Sequence, residues 1–303
     1  MVMLATLFYR RLASPLHATR ATVAATWAGA LVVATLLTDN PLVLGMLFAA
    51  VLAAGAGAGV WAELARTSRT VLIVAVPIVA INVLVSREGL TVFARLGDLG
   101  PFGQGDLTVE ALVYGAVIAL KVGLLMLVTT LASLAIDPDE LLAVFRRHSF
   151  RSALTASLAT RMVGVLAADS QRLAEAQRTR PDSAGSGAGR SPIGRRVSLL
   201  SAIVGSSLDR SMDVAATLEL RGFAVGGKRA PTRRHPFSRH DRAFAVSAAC
   251  VLVLALFGRL GGFASFTAYP LVSMPVSVAT AALCVALPAA VLFPLLDRRG
   301  IEF

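Results

Sequence analysis

Six long apolar runs, separated by short polar connections and one long basic one, constrain this chain more than any other feature. They cover roughly Ala21–Thr38, Pro41–Ala62, Thr70–Val85, Val109–Ala135, Arg242–Phe257 and Leu271–Leu296. A helix needs about 17–25 apolar residues to cross a hydrocarbon layer of about 30 Å, and a water-soluble core has no use for six such stretches. Mean hydropathy is +0.72, and 56% of the residues are hydrophobic against 16% charged. That balance excludes a disordered chain and a soluble single-core enzyme. Cys250 and Cys284 both lie in apolar stretches and supply neither a disulfide framework nor a zinc site. No removable leader is read in the first twenty residues, which carry Arg10 and Arg11 and no long apolar core. The expected fold class is all-α: a polytopic membrane helix bundle with an inserted cytoplasmic domain of long amphipathic helices. Residues 1–136 are read as a membrane domain of about four spans, 137–241 as the inserted block and 242–303 as about two further spans.

Charge sets the orientation. The N-terminal segment has Arg10, Arg11 and Arg20 without an acid, the first connection has only Asp39, the fifth only Arg259, and the C-terminus has Arg298 and Arg299. Residues 137–242 hold 18 Lys and Arg against 10 Asp and Glu, a net of +8 out of the chain's +11. An excess of Lys and Arg marks the cytoplasmic side, so the block and both termini are expected there, in a multi-pass bacterial inner-membrane protein. A hundred-residue insertion exceeds what topology requires and reads as a docking domain. The third connection, Ser86–Thr108, is Gly-rich with Pro101 and reads as an external loop with little regular structure. Lys121 sits inside the fourth run with no acid one turn away; snorkelling or burial against neighbouring helices stands beside a functional role. The basic stretch Lys228 to Arg242 suits anionic lipid at the inner leaflet better than nucleic acid.

Three helices are expected within the block. Asp137 caps the first, with Pro138 at its first position and Glu140 three residues after the cap; Arg146, Arg147 and His148 close it. The second runs from about Arg151 to Arg180, with an apolar stripe of Leu154, Leu158, Met162, Val165, Leu166 and Leu173, and stops before Pro181. A linker, Asp182–Pro192, follows. The third runs from about Ile193 to Arg221 with Val197, Leu200, Val204, Leu208, Met212, Ala215 and Leu218 spaced three or four apart. Gly222 suits the left-handed position after a helix. Each long helix thus ends in an arginine followed by a terminator, a group able to pair bidentately with an acidic partner; a general preference of helix ends for arginine accounts for the pattern equally simply.

The order of these features resembles a known family. Asp137-Pro138-Asp139-Glu140-Leu141-Leu142, then Glu175-Ala176-Gln177-Arg178-Thr179-Arg180, then Leu218-Glu219-Leu220-Arg221-Gly222-Phe223, together with Ser14-Pro15-Leu16-His17 and Asn40-Pro41, are similar to the transmembrane T component of energy-coupling-factor (ECF) transporters. These are ABC-type importers of vitamins and of cobalt or nickel ions. The resemblance implies that two Ala-Arg-Gly-like motifs close two coupling helices and dock on a pair of cytoplasmic ABC-type ATPases. Thr179-Arg180-Pro181, preceded by Arg178, stands for the first motif and departs at both flanks. Leu220-Arg221-Gly222, preceded by Glu219, stands for the second and departs only at Leu220. It further implies a separate small membrane subunit that binds substrate, no cofactor on this chain, and ATP with Mg on the partner ATPases.

Two other readings compete. A conventional ABC importer permease would show one Glu-Ala-Ala…Gly loop, of which Glu175-Ala176-Gln177 is a partial echo. A metal-dependent lipid-headgroup transferase would use carboxylates such as Asp209 and Asp213, four apart, but the upstream Asp-x-x-Asp-Gly is absent and Arg210 and Arg221 can neutralise the pair. No zinc-protease, serine-hydrolase or P-loop motif occurs, so the chain is read as a non-catalytic subunit. His17, His148, His235 and His240 lie outside the spans and are read as surface residues.

Overall fold

The computed structural model describes residues 12–86, 91–98, 104–145, 150–179, 192–222, 237–263, 265–269, 273 and 277–297. Its helices are α1 (Ala21–Leu37), α2 (Pro41–Gly57), α3 (Trp61–Val85), α4 (Val109–Ala135), α5 (Pro138–Phe145), α6 (Phe150–Thr179), α7 (Pro192–Leu220), α8 (Arg239–Leu260) and α9 (Val278–Leu296). Between α3 and α4 lie two strands, β1 (Val92–Asp98) and β2 (Gln104–Thr108). The chain divides into two compact units, residues 1–141 with 236–303, and residues 142–235.

Local chemistry sets the boundaries. The α1–α2 break falls at Asn40, whose side chain accepts the Leu42 N–H while Pro41 takes the first helical position. The second run was expected to continue to Ala62 and the third to begin at Thr70. Instead α2 stops at Gly57, because Gly59 turns the chain at φ +79°, a conformation that strains other residues. Helix α3 therefore starts at Trp61 and carries Glu63, Arg66 and Arg69 in its first turns. Helix α9 opens at Val278 rather than Leu271, because Ser277 and Thr280 cap each other reciprocally there. Among the described residues, four helices, α3, α4, α8 and α9, are long and apolar enough to cross a bilayer; α1 and α2, with 17 residues each, are at the short limit.

Within the first unit, five of the described helices close a ring: α1 packs on α8, α8 on α9, α9 on α2, α2 on α4 and α4 on α1. Its interior is filled by Leu31, Leu44, Leu47, Leu124, Leu127, Phe244, Val251, Leu287 and Val291. Trp27 is buried edge-on to Phe244 with ring centroids 5.4 Å apart, and its indole N–H donates to Ser247 Oγ at 3.0 Å. Helix α3 lies outside the ring against α4, where Gly115, Ala119 and Gly123 recur every fourth residue. A Cβ on Gly115 would sit 3.2 Å from Val79 Cα, so the helices approach as small-residue seams in membranes allow. The outward face of α3, including Leu72, Ile73, Val76 and Ile81, is exposed.

The third connection corrects the expectation of an irregular loop. Strands β1 and β2 pair antiparallel with Val92 opposite Thr108 and Arg95 opposite Asp106. Register shifts break the period-two alternation, which hides the hairpin from sequence patterning. Glu110 anchors its base: only 2% exposed, it accepts the Thr91 N–H at 3.2 and 3.3 Å through its two oxygens.

Candidate functional site

In the second unit α6 and α7 lie against each other. One ion pair joins them: Arg210 Nη1 of α7 lies 3.2 Å from Asp169 Oδ2 of α6, and Arg172, on α6 itself, reaches the same carboxylate at 3.9 Å. Arg210 thus pairs across helices and leaves Asp209 and Asp213 as exposed carboxylates on a solvated face. Among the described residues no group of His, Cys, Asp or Glu could hold a metal.

Helix α7 carries its stripe outward. Val197, Leu200, Val204, Leu208, Met212 and Ala215 are exposed, Met212 at 71%. The half-buried positions are Ile203, Ser207, Arg210, Val214 and Leu218, a second line one step round the helix. On α6, Leu158 and Met162 are half-buried and Val165 is exposed; the side chain of Leu154 is outside the described residues. An apolar row exposed over most of a long helix is the kind of surface on which partner proteins or membranes dock.

The α7 terminus has the expected geometry. Arg221 N–H donates to Thr217 O at 3.1 Å, and Gly222 follows at φ +73°, which ends the helix. Glu219, Leu220 and Arg221 are exposed, Leu220 at 89%, and among the described residues Arg221 has no ion pair. Of the first motif, the side chains of Arg178 and Thr179 at the end of α6, and all of Arg180 and Pro181, lie outside the described residues. So do His148 and His235, and Arg146 and Arg147 beyond α5.

The five-helix ring holds polar groups that the sequence reading missed. Lys121, read without a partner on its own helix, has one in the connection after α1: Nζ lies 2.5 Å from Asp39 Oδ1, while Arg259 Nη1 takes Asp39 Oδ2 at 3.0 Å. The signal was present, since Asp39 and Arg259 are the lone charges of the first and fifth connections. At the opposite end of α1, Arg20 N–H donates to Asp241 Oδ1 at 2.8 Å and Ala21 N–H to Glu140 Oε2 at 3.2 Å.

His17 and His240 are buried, not surface residues. The segment Ser14–His17 is tucked under α1, with Leu16 in the core and Ser14 Oγ 2.6 Å from His17 Nδ1. Desolvation lowers the His17 pKa, while a backbone hydrogen bond at Leu134 pulls the other way. An unfolded chain titrates this group near pH 6.5, so the fold binds fewer protons below that point. Stability should hold above about pH 6.5 and fall as the pH drops below it, by about 1.4 kcal/mol per unit of lowering. Thermal unfolding in detergent from about pH 7.5 to about pH 5 checks this; His17→Gln should flatten the acid limb.

The family described as CbiQ, cobalt transport protein, matches residues 13–232, the greater part of the chain. This chain belongs to the CbiQ family. A curated relative, the energy-coupling factor transporter transmembrane protein EcfT of Exiguobacterium sibiricum, is 25% identical over 193 residues, covering 60% of this CbiQ chain and 70% of the relative. The match runs through α1–α7 and ends at residue 232, past Arg221 and Gly222. The chain is therefore an ECF-type transmembrane component, a multi-pass membrane protein of a transporter.

Proposed function

We propose that this chain transmits ATP-driven motion from two cytoplasmic ABC-type ATPases to a small substrate-binding membrane subunit. Both termini and the inserted block lie in the cytoplasm. Arg221, and Arg180 in the corresponding place, act as cationic tips seated in acidic grooves on the ATPases. The outward row Val197–Ala215 is an apolar bearing surface: lacking fixed polar pairs, it can slide on a partner without locking one state. ATP and Mg stay on the ATPases, and substrate passes through the other membrane subunit. The family's description favours a transition-metal ion such as cobalt over a vitamin as cargo. The observation that carries this reading is the α7 end, an exposed arginine held beyond the last turn by a left-handed glycine.

Affinity purification of the tagged chain from its own membranes tests the assembly. Two nucleotide-binding subunits and one small hydrophobic subunit should accompany it. Purification of the chain alone, or metal-dependent headgroup transfer by the isolated chain, would overturn the proposal.

A further inference from the structure

Helix α1 opens without means of its own to satisfy its amino end. Arg20 occupies the cap position and provides no side-chain cap, and the first turn holds no acid. The first N–H groups of a helix have no internal partner and attract negative charge. Here two remote carboxylates meet them. Arg20 N–H goes to Asp241, 221 residues on, and Ala21 N–H goes to Glu140, 119 residues on. These acids stand at the two roots of the inserted block: Glu140 in the first turn of α5, which follows α4, and Asp241 in the first turn of α8.

Asp241 is bound on every side. It is 1% exposed, accepts the Ser238 N–H at 2.9 Å in a reciprocal cap, and lies 3.6 Å from Arg20 Nε. The Arg20 guanidinium covers the Phe237 ring at 4.7 Å, just before that cap. At the other end of α1, Asp39 holds Lys121 of α4 and Arg259 of α8. The amino end of α1 is thus tied to α5 and α8, and the segment after its carboxyl end to α4 and α8: α4 and α5 lead into the block and α8 leads out of it. Parting the roots would strand two backbone N–H groups and a buried carboxylate.

We infer that Glu140 and Asp241 are positioning residues that pin both roots of the block to the amino end of α1, so that the block swings on a fixed base and its motion is not lost in separation of the roots. The inference rests on the coupling role proposed above. Asp241, fully enclosed, carries more of the effect than the exposed Glu140.

The test uses the full transporter with Cys250 and Cys284 replaced by Ala and spin labels on Asp139→Cys and Arg242→Cys, two exposed positions at the roots. The root-to-root distance should be narrow and identical with and without ATP. Glu140→Ala with Asp241→Ala should broaden it and lower substrate uptake per ATP hydrolysed several-fold, while ATPase subunits still co-purify and hydrolysis continues. Glu140→Gln, which keeps an acceptor for the Ala21 N–H, should restore most of what Glu140→Ala loses. A wild-type distance that changes with nucleotide overturns the inference, as does an alanine pair with wild-type uptake per ATP. Should the pair fail to assemble, the wild-type distances decide. Should no ATPase accompany even the wild type, the coupling role fails by itself; the labelled chain alone then decides the pin, equal distance widths with and without the two carboxylates overturning it.

Discussion

A chain carrying Arg180→Glu and Arg221→Glu is expected to reach the membrane in normal amount and to retain no ATPase subunit through purification. Arg221 is exposed and has no ion pair among the described residues, so its replacement should change the fold's stability by no more than about 0.5 kcal/mol. At a partner's acidic groove the same change removes a bidentate cation and inserts a like charge. Losing one member of a desolvated pair costs about 2–5 kcal/mol, so two together should weaken assembly at least roughly 10³-fold. Arg221→Lys should fall between, because an ammonium keeps the charge and loses the planar fork. Quantitative co-purification, with membrane abundance as the control, reads the result. Undiminished ATPase recovery from the double variant would remove the cationic tips from the account.

The largest effect on the fold itself is expected at Trp27. Trp27→Ala should lower the stability of the purified protein by about 3–5 kcal/mol. The indole is almost fully enclosed, and its removal opens a hole where α1 crosses α8, beside Phe244. Packing of this kind, rather than escape from water, holds membrane helices together, so the hole has no compensating gain. Ser247 loses the indole donor but still donates to Ala290 O at 2.6 Å, so no buried hydroxyl is stranded. Trp27→Phe should therefore recover most of the loss, short of one hydrogen bond worth about 1 kcal/mol. Thermal unfolding in a mild detergent measures both; a loss under about 1 kcal/mol for the alanine variant would contradict the packing described.

Much of this architecture was readable from patterns with a strong physical period. The α4 boundaries and the ends of α6 and α7 fall within a residue or so of expectation, because long apolar runs and three-to-four spacing leave little choice. Gly222 was legible because only a left-handed residue closes such a helix cleanly. What escaped depends on partners far along the chain. Nothing near Lys121 names Asp39, nothing near Arg210 names Asp169, and the acids that cap α1 come from distant segments. His17 and His240 were misread for the same reason, since burial by segments distant in the chain leaves no local trace. The hairpin escaped because its bulged register erases alternation. The arginine tips were legible as residue types and spacing, while their use depends on chains outside this one.

The 17-residue helices α1 and α2 rise only about 25 Å, against about 40 Å for the 27 residues of α4. Asp39 consequently meets Lys121 near the middle of α4, not at its tip. Wherever α1 or α2 itself faces lipid, the apolar length on offer is short, and acyl chains that meet it shorten or lean. A dent of this kind draws in any neighbour whose own helices are equally short, because two stunted walls sharing one dent deform less lipid than two apart.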